Sequence, residues 1–247
     1  MPRVVGTCGR NAVPSKIPIG MTRGCSVRVV MSKGETFLRE LPELFEDFPG
    51  AEVPRDKRFV DVLEHVQGLA RPNNLALLNL AARCVGPSES YVEVGAFRGS
   101  SLIGAMLGND DVDFVAIDDF SRGGSSRDEL EANLARFGLA DRARILEGDA
   151  FEILRNGGLG SRPVGVYYYD AAHTYEQQLE GLLLAEPYLA ADALLIVDDT
   201  DWDFVEAAVG DYLARRPNVR SLVRIEGKDG GNPWWWEGVQ VLEWQSA

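Results

Sequence analysis

Residues 163–200 read PVGVYYYDAAHTYEQQLEGLLLAEPYLAADALLIVDDT, and this stretch decides the fold. An apolar run from Val164 to Tyr169 ends at an acid, Asp170. His173 follows, and a helical pattern occupies 175–188. A second apolar run, 193–197, ends in the paired acids Asp198 and Asp199. Strand, helix and strand at this spacing make a βαβ unit, whose strands must be parallel and joined right-handedly. If the two strands are neighbours they lie about 4.8 Å apart. Their carboxyl ends then bring three carboxylates and an imidazole to one rim, which is where open α/β sheets bind ligands.

Working back from this unit, residues 91–101 read YVEVGAFRGSS. A short apolar strand ends at Glu93-Val94-Gly95; Gly99, Ser100 and Ser101 then open an apolar helix. Glycines at such a turn let backbone approach a ligand closely, and the helix start offers oriented N–H donors. The pattern is E-x-G-x-x-x-G, with Phe97 where a nicotinamide fingerprint would place its second glycine. The next strand, 112–117, is closed by Asp118 and Asp119. An acid at the end of the second strand is placed to take ribose hydroxyls, with a solvated strand-end acid as the plainer alternative. Ser126 is set to cap a helix over 127–137, which Gly138 ends. A third strand, 143–146, leads to Glu147-Gly148-Asp149.

Beyond Asp199 a helix runs to about Arg216. Two strands follow, 219–225 and 238–244, joined by a loop that carries Trp234, Trp235 and Trp236. Strands with no helix between them pair most simply as an antiparallel hairpin. The expected fold is therefore α/β: a seven-stranded, mostly parallel sheet with an antiparallel C-terminal hairpin and helices on both faces. The tryptophan run reads as hairpin packing or a subunit contact, with a substrate-stacking wall as the alternative.

Before the first strand, 35–86 carries three helical patterns that read as an N-terminal helical cap. Their stripes are Phe37, Leu38, Leu41, Leu44, Phe45 and Phe48, then Phe59, Val60, Leu63, Val66 and Leu69, then Leu75, Leu77, Leu78, Leu80 and Ala81. His65 reads as a surface or packing histidine. Residues 1–34 hold six of the 25 basic residues and none of the 38 acidic ones. With scattered Gly and Pro and no period, they read as a disordered basic arm. A transit peptide, or translation starting at Met21 or Met31, are the alternatives. Residues 87–247 then form the main domain.

The net charge of −13 argues against a nucleic-acid footprint, and no apolar run is long enough to span a bilayer. The three cysteines, Cys8, Cys25 and Cys84, show neither metal spacing nor a disulfide framework, which suits a reduced, cytoplasmic protein.

At this point the motifs resemble a known family. Glu93-Val94-Gly95 with Gly99, Asp118, Gly148-Asp149 and the terminal hairpin resemble the class I S-adenosylmethionine-dependent methyltransferases, whose sheet is Rossmann-like. Asp170-Ala171-Ala172-His173-Thr174-Tyr175-Glu176, followed by Asp198-Asp199-Thr200, is similar to the macrocin O-methyltransferase group. That group methylates sugar hydroxyls on natural products and is related to cephalosporin-hydroxylase-like proteins. The resemblance covers roughly 73–244 and departs from the family at Ala171 and Ala172, where bulkier, more polar residues are usual.

The resemblance implies that Glu93, Gly95, Gly99, Ser100, Asp118 and Asp149 hold S-adenosylmethionine, Asp118 on the ribose and Asp149 on the adenine side. It implies that Asp170, Asp198 and Asp199 hold Mg²⁺ or another divalent cation, and that His173 is the general base. Oxygen-only ligands favour such cations over zinc, and an imidazole of pKa about 6.5 suits a base at neutral pH. The implied activity is O-methylation of a small-molecule hydroxyl, on a secondary metabolite or its sugar. A related non-methylating enzyme and a cofactor-binding accessory protein are the rivals, and self-association stays open. Deleting residues 1–30 is expected to leave cooperative thermal unfolding and S-adenosylhomocysteine binding intact; loss of either in the truncated protein would show that the arm packs on the core.

Overall fold

Apolar residues alternate between two faces along nearly every strand, and the two sets they form are the two cores of the protein. The computed structural model describes residues 31–172 and 174–246. The strands are β1 (Ser90–Val94), β2 (Asp113–Asp118), β3 (Ala143–Glu147), β4 (Val164–Tyr169), β5 (Leu189–Asp198), β6 (Val219–Ile225) and β7 (Val239–Gln245). The helices are α1 (Lys33–Glu40), α2 (Arg58–His65), α3 (Pro72–Arg83), α4 (Ser100–Met106), α5 (Arg127–Arg136), α6 (Ala150–Arg155), α7 (Tyr175–Ala185) and α8 (Asp203–Arg215). Among the described residues, no helix is long and apolar enough to cross a membrane.

The sheet order is β3-β2-β1-β4-β5-β7-β6. The first five strands are parallel, and β7 runs antiparallel between β5 and β6. The expected seven-stranded sheet is therefore present, and β4 and β5 are neighbours. Its centre is buried on both faces, so β4 is apolar without interruption. Tyr168 points to the core shared with α1–α5, while Tyr167 and Tyr169 point to the core shared with α6–α8.

The helices over 35–86 do not stand apart as a cap. Phe37, Phe59, Val62 and the whole inner side of α3 share one core with Tyr91, Phe114 and Val166 of the sheet. They form one of its two helical layers. The first layer also begins earlier than the charge pattern implies. Ser32 caps α1 by a reciprocal pair with Glu35, which satisfies two N–H groups at once. Lys33 pairs with Glu89 at 2.9 Å, and the Gly34 N–H donates to the buried Glu243 at 3.1 Å. A Cβ at Gly34 would lie 2.4 Å from that carboxylate, so the contact needs glycine. Residues 32–34 thus belong to the fold and not to the arm.

Other differences have local causes. The first apolar stripe is not one helix: Pro42 opens a 3-10 turn, Pro42–Leu44, and Leu38 is left exposed. The helix expected over 175–188 ends at Ala185 and gives way to a 3-10 turn containing Pro187. Strand β5 begins at Leu189, and its early residues Asp192 and Ala193 pair with Gln245 and Trp244. The short α6 carries no legible period; Asp149 caps it by accepting from the Glu152 N–H at 2.9 Å.

The tryptophan run divides. Trp235 is fully buried, its ring centroid 5.5 Å from Phe45, and its indole N–H donates to the Pro49 carbonyl at 2.9 Å. This ties the hairpin loop to the N-terminal layer. Trp235→Ala is expected to lower unfolding free energy by about 3–5 kcal/mol, measured by urea denaturation, because it empties a large buried site and leaves that carbonyl only its hydrogen bond from Asn232.

Candidate active site

The carboxyl ends of β1 and β4 meet at one point. The Asp170 N–H donates to the Val94 carbonyl at 2.9 Å. Gly95 follows with φ +94°, and a Cβ there would sit 1.7 Å from the Asp170 carbonyl oxygen. Only glycine allows this approach. Asp118, at the end of β2, clamps the turn from the other side. Its two oxygens accept from the Phe97 and Phe120 N–H groups, both at 2.6 Å. Both phenylalanines have positive φ, near +50°, so the carboxylate holds backbone in an uncommon conformation. Burial raises the pKa of Asp118, and these two hydrogen bonds oppose it.

A cavity of about 760 Å³ opens at these strand ends. Gly95, Ser100, Asp118 and Asp149 line it, as do Asp170 and Asp199. The residues expected to hold the cofactor and those expected to hold a cation thus share one space. Three expected site residues do not line it. Glu93 is fully buried beneath the turn, where it accepts from Ser101 Oγ at 2.6 Å and Tyr91 Oη at 3.2 Å. Gly99 has φ +90° and lies against Leu130, 2.4 Å from where a Cβ would be; it serves helix packing. Asp198 is buried behind Tyr168. His173 lies outside the described residues.

The acids are crowded. Tyr168 Oη donates to Asp198 at 2.7 Å and lies 3.2 Å from Asp170. Burial pushes Asp170 well above the usual carboxylate range, and the Asp198 and Asp199 charges push it further. Burial raises Asp198 to about 6, against the Tyr168 hydrogen bond. Asp199 is raised to about 8 by burial and by repulsion from Asp198 and Glu237, with Arg122 and Lys228 pulling it back. Glu93 is raised to about 8 by burial.

A divalent cation suits this donor set on chemical grounds. The donors are all oxygen, they repel one another, and among the described residues Asp198 Oδ1 is buried without a hydrogen-bond partner. The fit rests on that chemistry and not on preformed spacing. Among the described residues, the trio with ligand atoms all within 4.8 Å is Asp61, Glu64 and His65, exposed on α2.

Several residues of the site escaped the sequence reading. Tyr168 is two residues before Asp170, so strand alternation puts it on the same face, but its bridging of two strands needs the sheet register. Trp202, Glu237, Leu69 and Ala70 also line the cavity and come from distant segments; Trp236 joins them, as the alternative reading of the tryptophan run allowed. Asp201 accepts from the Gly227 and Gly230 N–H groups, and so anchors the hairpin loop that delivers Trp236 and Glu237.

Residues 92–200 match the family model Methyltransf_24, described as a methyltransferase domain. In fold, the chain is similar to the O-methyltransferase TomG from Streptomyces achromogenes, involved in tomaymycin synthesis and solved with S-adenosylmethionine. The two share 21% identity over 78% of this chain and 92% of that one, with a TM-score of 0.60. It is similar to an O-methyltransferase from Bacillus cereus solved with S-adenosylhomocysteine, at 15% identity over 84% and 96%, with a TM-score of 0.60. A search of curated protein sequences found no match. Residues 92–200 thus carry a methyltransferase-domain match, and the fold around them is the one shared by these S-adenosylmethionine-dependent methyltransferases.

The raised carboxyls set a pH dependence. A folded-state pKa above the unfolded one gives stability that is present below the unfolded value and lost as pH rises through the folded value. For Glu93 that window runs from about 4.5 to about 8. In chelator, melting temperature is expected to fall across it, and Glu93→Gln to make that fall shallower. A variant whose melting temperature tracked the parent's at every pH would show that Glu93 is not strained by burial.

Proposed function

We propose that this chain transfers the methyl group of S-adenosylmethionine to a hydroxyl of a small molecule, a secondary metabolite or its sugar. A divalent, oxygen-preferring cation at Asp170, Asp198 and Asp199 assists. The observation that carries this reading is that the cavity unites the Gly95–Asp118–Asp149 turns with Asp170 and Asp199. Both similar structures named above are O-methyltransferases, and one belongs to a natural-product synthesis.

When bound, S-adenosylmethionine supplies an electrophilic methyl on a sulfonium. When bound, the cation lowers the pKa of an acceptor hydroxyl. The chain supplies the rest. Each Asp118 oxygen already takes one N–H and keeps a second lone pair for a ribose hydroxyl. Asp149, Ala150 and Phe151 face the adenine end. Leu69, Ala70, Trp202 and Trp236 make an apolar wall that excludes water from the acceptor. Tyr168 keeps Asp170 and Asp198 side by side. His173, assigned by resemblance, takes the hydroxyl proton, and holding the oxygen in line with the methyl contributes the proximity term.

Calorimetry is expected to give micromolar binding of S-adenosylhomocysteine, about −8 kcal/mol, strongly weakened by Asp118→Ala. Mg²⁺ is expected to raise the melting temperature of the parent and not of Asp198→Ala. Once an acceptor is found by screening with labelled cofactor, His173→Ala is expected to keep cofactor affinity and lose about 10²–10⁴-fold in kcat. No S-adenosylhomocysteine binding would remove the methyl-transfer reading; full activity in excess chelator would remove the cation.

A further inference from the structure

Three cations gather at one side of the cavity, although the chain carries a net charge of −13: Arg122 lines it, and Arg71 and Lys228 stand over its lining residue Trp236. They come from three separate segments. Arg71 precedes α3, Arg122 follows β2, and Lys228 sits in the loop between β6 and β7. Arg71 and Lys228 both stand over the ring of Trp236, at 5.8 and 5.1 Å from its centroid. Trp236 itself lines the acceptor end of the cavity, and Arg122 lines the same space. Aromatic faces attract cations, so Trp236 holds two of them close together despite their mutual repulsion. That repulsion is felt: Arg71 opposes the charge on Lys228, while the Glu237 carboxylate beside the ammonium favours it.

Most arginines of this chain pair with carboxylates, as in Arg58–Asp56, Arg142–Asp110 and Arg216–Glu186, and Arg136 and Arg144 are bonded to backbone carbonyls. Among the described residues, neither Arg71 nor Arg122 has an ion-pair partner. Both are exposed, Arg122 in the lining of a cavity whose floor is acidic and Arg71 over its lining residue Trp236. A neutral acceptor needs none of this arrangement. An anionic acceptor needs all of it, because Asp170, Asp199 and Glu237 would otherwise repel it. The guanidinium fork is the side chain best matched to an oxyacid group.

We propose that the methyl acceptor is an anion: a hydroxylated small molecule whose carboxylate or phosphate group is held at the rim by Arg71 and Lys228, with Arg122 beside them, while its hydroxyl reaches the strand-end aspartates. This inference rests on the O-methyl-transfer reading above. It assigns Arg71 and Lys228 as specificity residues and Trp236 as the residue that positions them. Lys228 is set in place by the loop anchored on Asp201, and its own N–H donates to the Trp236 carbonyl at 2.9 Å.

The test uses the full chain with Mg²⁺ and labelled S-adenosylmethionine. Acceptors are screened as matched pairs: hydroxylated carboxylic acids with their amides, and sugar phosphates with their parent sugars. The anionic member is expected to exceed its neutral partner by about tenfold or more in kcat/KM. Which of the two series responds separates carboxylate from phosphate recognition. Arg71→Met and Lys228→Met are each expected to raise KM for the anionic member by about tenfold while kcat stays within about threefold, and to leave KM for the neutral member unchanged. Calorimetry with S-adenosylhomocysteine, unchanged in both variants, shows that folding and the cofactor end are intact. Equal or better turnover of the neutral members, or variants that leave the preference unaltered, overturns the proposal and leaves methyl transfer standing. No labelled product from any pair, with S-adenosylhomocysteine still bound, overturns both.

Discussion

The contact between Gly95 and the carbonyl of Asp170 is the constraint on which the site depends. Parallel strands β1 and β4 end side by side there, closer than any side chain would permit. Because they do, the turn that follows β1 and the acid that follows β4 open into one cavity and not two. Asp118 completes the arrangement from β2. By accepting two N–H groups it fixes the loops that follow β1 and β2, and it lines the cavity itself.

Charge is distributed against stability. Glu93, Asp170, Asp198 and Asp199 are gathered at the ends of three adjacent strands, and burial raises the pKa of each. A chain selected for stability alone would not place four carboxyls there. The hydrogen bonds from Tyr91, Ser101 and Tyr168 reduce the cost without removing it. Arg122 lines the same cavity, and Arg71 and Lys228 stand over its lining residue Trp236, so opposite charges face one space, the arrangement on which the proposal of an anionic acceptor rests.

The C-terminal hairpin supplies one wall of the cavity through Trp236 and Glu237. Inserting β7 beside β5 puts the loop before β7 next to Asp199, and Asp201 ties that loop down. Within the loop, three consecutive tryptophans have separate tasks. Trp235 is core, bonded to Pro49; Trp236 lines the cavity and carries two cations; Trp234 packs at the margin of the first core. Successive residues in a loop face different directions, so a run of one residue type can serve core and cavity together.

Much of this was legible in the chain. Uninterrupted apolar runs such as Val164–Tyr169, each closed by an acid, determined the parallel sheet and put those acids at one edge, because strand ends are where an apolar run must stop. The absence of a helix between 225 and 239 determined the antiparallel pair. Gly95, Ser100, Asp118, Asp149, Asp170 and Asp199 could be picked out because they sit at those ends. Burial direction within the turn could not be picked out. Glu93 and Gly99 lie in the same motif as Gly95, yet one sits under the cavity and the other against Leu130, since φ and packing partners, not spacing, decide which way each faces. Nor could the sequence show that 35–86 is a layer of the sheet, because an amphipathic stripe reports that a face is buried and not what buries it. That Trp236 and not its neighbours faces the cavity, and that Leu69, Arg122 and Trp202 line it with Arg71 and Lys228 over Trp236, was decided by tertiary structure alone: these residues come from segments up to 167 positions apart, and only the sheet order brings them together.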